Sequence, residues 1–432
     1  MAARAGKVPG RAWVVVFAGT IVNLCLGILY AWSVWKQALV YPDEKMVQEM
    51  AGHAMTGINE GWHYLNNAQA STPFSLAVMI FALSMIPGGR IHDRFGPKFG
   101  ATVGGIFLAA GCIIAGLMKS YTGLIIGFGI FGGIGMGIGY AAPTPAALKW
   151  FGPHKRGLIA GLVVGGYGGA ALYISPLGKW LITAFGISGS FIGLGILFAA
   201  VIIVAAQFLS WPPDGYVPPG GNASAKKTAA TTGKDWTAGE MLRTWQFYAL
   251  VVLFIGSTQS GLLIIANAAG ILNTAATGIP FLVANAWILA SFGGLVNASG
   301  RVGTGVYSDK IGRDNAYAIN CGVSALCLAS MPWVMASGNI VLLFIVVGIA
   351  YWQYGGGLSL LPSYTADFYG SKHLGVNYGL VFIGWGFGFF MARLAGTIED
   401  ITGSLDYAFY MSAGILVAMV LLSRVTKKPV PR

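Results

Sequence analysis

Apolar runs of eighteen residues or more recur along the whole chain, broken by short clusters of charge, proline and glycine. A helix needs about 20 such residues to cross a hydrocarbon core about 30 Å thick. Charges and turn signals divide the chain into twelve predicted spanning helices, at 13–35, 70–90, 99–118, 122–147, 157–178, 186–210, 244–268, 281–306, 315–335, 339–362, 376–396 and 405–424. The fold class is therefore an all-α membrane protein. One stretch, Trp211 to Glu240, breaks the pattern with Pro, Gly, Ala, Thr and Lys and reads as a flexible polar linker. It divides the chain into an N-terminal six-helix bundle (1–210), a linker (211–242) and a C-terminal six-helix bundle (243–432).

Composition agrees with the pattern. Of 432 residues 56% are hydrophobic and 9% charged, too apolar a balance for a soluble core. The net charge of +12 follows from topology. Twenty of the 26 Lys and Arg residues fall in segments that lie on one side if both termini are cytoplasmic, and only Lys36, Lys45, Lys119 and Lys179 fall on the other. That is the positive-inside distribution, so the charge argues for a multi-pass protein of an inner or plasma membrane and gives no support for nucleic-acid binding. Cys25, Cys112, Cys321 and Cys327 all lie in apolar segments without metal-type spacing and read as small core residues. No cofactor or metal is implied. No Ser/His/Asp, Cys/His or paired-carboxylate set falls at one depth, so the chain does not read as an enzyme.

Each half carries one near-identical signal after its second helix. Gly89-Arg-Ile-His-Asp93-Arg94-Phe-Gly96 is matched by Gly305-Val-Tyr-Ser-Asp309-Lys310-Ile-Gly312, and the two aspartates are 216 residues apart. The glycines are expected to permit a tight turn and close helix approach, and the charges to pair across the cytoplasmic face. The pattern resembles the loop signature of the major facilitator superfamily. That resemblance implies two pseudo-symmetric six-helix bundles around a central cavity, a conformational gate at Gly89, Asp93, Arg94, Asp309 and Lys310, and transport by alternating access.

Shorter patterns are similar to one branch of that superfamily. Gly10-Arg-Ala-Trp13 and Trp150-Phe151 with Lys155-Arg156, the latter pair added to the gate, resemble monocarboxylate transporter signatures. Gly239-Glu-Met-Leu-Arg243 and Asn377-Tyr378-Gly379 resemble the bacterial oxalate/formate antiporter group. In that group an Arg on helix 8 binds the substrate carboxylate, and the matching position is Arg301. The antiporter also has a Lys on helix 11, where this chain has Trp385. The animal carriers have an Asp four residues before the Arg, where this chain has Asn297. The resemblance thus implies a small monocarboxylate such as lactate, pyruvate, acetate or formate, moved by proton-linked symport or acid exchange. Oxalate/formate-type exchange is the alternative, with a non-transporting carboxylate sensor behind it.

Arg301 stands out without any resemblance. It lies about 12 Å into its helix from Asp309 and stays charged there. An arginine at such depth costs roughly 2.5–3.5 kcal/mol on insertion scales and ordinarily faces an aqueous cavity with an anionic partner. No Asp or Glu of the chain lies at comparable depth, so the partner is expected to be a transient anion; a carbonyl-capping role is the alternative. Met85, 216 residues earlier, shows that the repeat itself does not demand an arginine. Tyr30, Trp32, Tyr140, Tyr167, Tyr354 and Trp385 are candidate cavity aromatics, Asn297 a further contact, and Gln259 and Asn267 secondary ones. Arg393 is expected at the outer face as an interface anchor. The 37–69 segment is read as a solvated insertion, with a partial lid over the outer mouth as the alternative. The expected partners are the substrate acid, protons and the lipid bilayer, with the protein working as a monomer.

Overall fold

The computed structural model describes residues 8–43, 46–151, 156–213, 215–216, 235–370 and 374–430. Among them the architecture is helical. Ten segments are long and apolar enough to span a membrane. One of these, Gly161–Ala206, is two helices joined at Gly186, whose φ of +70° takes the chain out of helical geometry. Another helix, Trp287–Ile311, carries Arg301 and brings the total to twelve. In chain order they are α1 (Gly10–Leu39), α2 (Asn67–Phe95), α3 (Pro97–Met118), α4 (Tyr121–Leu148), α5 (156–185), α6 (187–206), α7 (Trp245–Ala275), α8 (Trp287–Ile311), α9 (Arg313–Ala336), α10 (Ile340–Tyr369), α11 (374–402) and α12 (Asp406–Val425). The four cysteines are buried core residues.

Small residues set the closest approaches. A Cβ on Gly104 of α3 would stand 2.4 Å from the backbone of Gly139 on α4, so these helices meet main chain to main chain. The two halves touch chiefly where α5 meets α8 and α2 meets α11, and also where the end of α1 meets α7.

The repeated signal differs from its sequence reading. It is not a loop: α2 runs through Asp93 and Arg94 to Phe95, and the turn is Gly96 alone, at φ +89° and ψ +167°. In the second half Gly312 does the same at φ +85° and ψ +155°. A side chain is strained at such φ, which is why both repeats place glycine there. Gly89, by contrast, has nothing within 4 Å of an added Cβ, so it mediates no close approach. Asp93 is exposed, and the buried His92 imidazole lies 4.0 Å from its carboxylate. Arg94 lies over the Phe95 ring, and Lys310 is exposed. Among the described residues these charges make no bond between the halves, since the one-residue turn leaves them in solvent. Lys155 and the side chains of Arg156 and Asp309 lie outside the described residues, as does most of the 211–242 linker.

The insertion after α1 is anchored rather than merely solvated. Trp62 is buried and its Nε1–H donates to Ser188 Oγ at 2.9 Å, while Asn59 Oδ1 accepts from Ile187 N at 2.8 Å. Its two ends meet where Leu65 N donates to Leu39 O. The segment thus caps the α5–α6 turn of its own half.

One face of the molecule, where α1 ends and α2 begins, also ties the halves together. Lys36, buried at the end of α1, donates to Asn267 Oδ1 of α7 and lies 3.2 Å from Glu399 Oε2 of α11. Beside it the Asp400 carboxylate accepts from Asn67 N and Ala68 N, both at 3.0 Å. Asn66 and Gln69 form a capping box on the same helix start, so each free N–H of the first turn of α2 is satisfied. The carboxylate also sits at the positive end of the α2 dipole. Among the described residues, every side-chain hydrogen bond between the halves lies either at the level of Arg301 or toward this Lys36 face.

Candidate functional site

Arg301 sits in the middle of α8 and points across the seam between the halves. Gly168 on α5 makes room for it: a Cβ there would lie 3.0 Å from Arg301 Nε. The guanidinium is 4% exposed and donates three hydrogen bonds. Nε donates to Asn297 Oδ1 at 3.1 Å, one turn back on α8. Nη2 donates to Tyr30 OH at 3.0 Å and Nη1, more distantly, to Val164 O at 3.4 Å, both in the other half. All three acceptors are neutral, and no carboxylate of the described residues lies within ion-pair distance.

The position of Tyr30 follows from a local change in α1. After Leu26 the helix tightens to a 3₁₀ stretch, Gly27–Ala31, before resuming at Trp32. Gly27 lets this stretch press against α5, where an added Cβ would stand 2.6 Å from Tyr167 O. Tyr30 OH then reaches Tyr354 OH of α10 at 3.2 Å, and Trp385 Nε1–H of α11 donates to the same Tyr354 oxygen at 3.0 Å.

Tyr30 oxygen accepts from arginine and Tyr354 oxygen accepts from tryptophan. Only one of the two hydroxyl protons can bridge them, so whichever tyrosine donates, the other O–H proton has no acceptor among the described residues. Among the described residues, Asn297 Nδ2 and Tyr351 OH are also buried without a partner. The site is a cluster of donors holding a permanent positive charge, and the group it lacks is an acceptor with negative charge.

Aromatic rings enclose it. Tyr167 meets Tyr30 and Tyr140 edge-on at centroid distances of 5.1 and 5.2 Å. Phe81 of α2 touches Tyr140, Tyr167 and Trp385. Tyr167 OH points to Met136 Sδ at 3.6 Å. Of the residues singled out in the sequence, Tyr30, Tyr140, Tyr167, Asn297, Arg301, Tyr354 and Trp385 come together here. Trp32 does not: its indole N–H donates to Ala70 O at 3.0 Å and its ring packs on Phe128 within the first half. Two positions from Tyr30, it lies on another side of the same helix. Gln259 is bonded to Ser412 and Asn267 to Lys36, both away from the arginine. The arginine also meets no open vestibule, contrary to the sequence expectation, because the seam is closed around it in this conformation.

Phe81, Phe382 and Tyr351 were not picked out in the sequence, since nothing separates them there from other buried aromatics. The Lys36–Glu399 pair was missed because its partners are 363 residues apart. Replacing Gly168 with valine is expected to push the guanidinium off its present position and lower transport at least tenfold while the protein still inserts. Uptake normalised to membrane protein level checks this.

The likeness to known proteins matches this geometry. The sequence profile of the Major Facilitator Superfamily matches residues 12–392. The oxalate:formate antiporter of Oxalobacter formigenes is 29% identical over 374 residues, covering 87% of this chain and 81% of the relative. Monocarboxylate transporter 13 of Rattus norvegicus is 24% identical over 416 residues, covering 95% and 87%. In fold, the chain superposes with a TM-score of 0.67 on the E. coli xylose transporter XylE in a partially occluded inward-open conformation, at 13% identity over 96% of this chain and 97% of that one. Twelve helices in two halves, a signal repeated at the ends of α2 and α8, and a profile match spanning both halves have one reading: the chain belongs to the Major Facilitator Superfamily.

Proposed function

We propose that the protein is a secondary transporter of a small monocarboxylate, of the lactate, pyruvate, acetate or formate type, working by alternating access across an inner or plasma membrane with both termini cytoplasmic. The excess of donors over acceptors around the Arg301 cation carries this reading. A carboxylate arriving there supplies acceptor oxygens for the guanidinium, for the unsatisfied tyrosine proton and for Asn297 Nδ2, and it neutralises the arginine. With the charge neutralised, the desolvation cost of sealing the site falls, so the loaded transporter closes and reopens more readily than one with a bare cation. Substrate is thereby coupled to movement without a dedicated carboxylate relay, by exchange of acids or by a proton that travels with the acid.

The crowding of the site supports a small acid, since Tyr30, Tyr140, Tyr167, Asn297, Tyr354, Trp385 and Gly168 already gather around Arg301. Trp385 supports one carboxylate over two, because it offers an N–H to Tyr354 where a second cation would serve a dicarboxylate. The likeness to an oxalate:formate antiporter favours oxalate/formate exchange as the second reading. Purified protein in liposomes, given labelled formate, acetate, lactate and oxalate with and without a pH gradient or internal counter-acid, separates the two. Uptake of a monocarboxylate at least tenfold faster than oxalate is expected, and the reverse ranking overturns the assignment. Trp385→Lys is expected to raise oxalate uptake relative to the monocarboxylates.

A further inference from the structure

A second intrahelical arginine, Arg393, lies on α11 about 28 Å along the helix from Leu374, close to one full hydrocarbon thickness. Its guanidinium donates to Thr397 Oγ1 at 2.6 Å, and no carboxylate of the described residues pairs with it. It lines an open crevice of about 490 Å³ between the halves, walled by Ser75, Leu76 and Met79 of α2, Ile125 of α4 and Phe389 of α11. Within that wall Ser75 is 2% exposed and its hydroxyl has no hydrogen-bond partner. Leu83 on α2 and Phe387 on α11 are large exposed apolar side chains of the same helices, marking a surface that faces lipid.

We propose that this crevice is a binding site for an anionic glycerophospholipid, whose phosphate pairs with Arg393 while an acyl chain lies along Leu76, Met79, Ile125 and Phe389. The chemistry fits each part. An arginine at headgroup depth is a phosphate ligand, the unsatisfied Ser75 hydroxyl is a donor for an ester oxygen, and the trough beyond them is apolar. A neutral lipid would fill the trough and leave the cation unmatched. Because α2 and α4 belong to one half and α11 to the other, a lipid held here bridges the two moving bodies. Its occupancy therefore differs between conformations in which this seam is closed and open.

Native mass spectrometry of the purified full chain with added phosphatidylglycerol or phosphatidylcholine tests the assignment. Wild type is expected to retain phosphatidylglycerol at least fivefold more than phosphatidylcholine, and Arg393→Gln to reduce that ratio to about one. Leu76→Trp, which fills the trough, is expected to lower the bound population of both lipids while leaving the protein monodisperse. Unchanged phosphatidylglycerol selectivity in Arg393→Gln overturns the proposal. So does displacement of the bound lipid by millimolar acetate or oxalate, which would assign Arg393 to a soluble acid instead. Neither readout depends on transport, so the crevice and the Arg301 site stand or fall separately.

Discussion

Arg301→Ala is expected to lower uptake by two to three orders of magnitude, and Arg301→Lys by at least tenfold. The alanine change removes two or more charge-assisted hydrogen bonds to the acid, each contributing about 1.5–3 kcal/mol, and 1.4 kcal/mol is a factor of ten. Lysine restores the charge but not the planar fork that offers parallel N–H groups to a carboxylate. A purely structural arginine would show a different signature. If its task were to hold Val164 O on α5, Arg301→Ala would reduce the amount of folded protein and leave the survivors responsive to acid. Thermal unfolding in detergent distinguishes the two. Wild type is expected to gain stability when acid is added, by about 2.7 kcal/mol at a hundred times the dissociation constant. The alanine variant is expected to gain none. Stabilisation of Arg301→Ala by the same acid, with uptake intact, removes the site.

The physical reason Arg301 was legible in the sequence is that its signal is local: a permanent charge in an apolar run has few explanations. The twelve helices were legible for the same reason, as was the repeat, which reappears in the backbone as the matched φ of Gly96 and Gly312. Depth along a helix placed Tyr140, Tyr167 and Tyr354 correctly beside the arginine. Direction around the helix was not used, and Trp32 shows the consequence, since two residues of offset turn it from the seam into its own bundle. The closed seam was illegible because a sequence does not specify which of several conformations its halves adopt. The sequence places the start of α2 at residue 70, and the structure moves it to Asn67, where the Asn66–Gln69 cap is completed by the Asp400 carboxylate. Nothing in either segment announces the other. Contacts between bundles are pairings of surfaces, and those surfaces are each ordinary when read alone.

That pairing leads to the second large effect. The polar bonds between the halves gather at Arg301 and toward the Lys36 face, whereas Gly161 on the opposite side of the arginine faces Val302, whose Cγ2 would stand 3.0 Å from an added Cβ. The Lys36 face is therefore latched, and opening it requires Lys36 to leave Glu399 and Asn267 and Asp400 to leave the start of α2. Lys36 is 7% exposed, so removing its charge leaves Glu399 as a carboxylate in a closed seam without its cation. Breaking one partner of a buried pair costs about 3–5 kcal/mol, and this pair costs less because the Glu399 side chain is 24% exposed. Since the open state hydrates the freed carboxylate, the cost falls on the closed state and shifts the equilibrium at least tenfold toward opening on this face. Spin labels at Leu117→Cys in the first half and Ile401→Cys in the second, both highly exposed, report the separation of the halves, and the four buried native cysteines need not be removed. Lys36→Met is expected to populate a longer label distance and to slow transport. The exchange Lys36→Glu with Glu399→Lys is expected to recover the short distance, because the pair re-forms with its charges reversed. An unchanged distance distribution in Lys36→Met would show that the seam is held by packing alone and that the ion pair does not gate it.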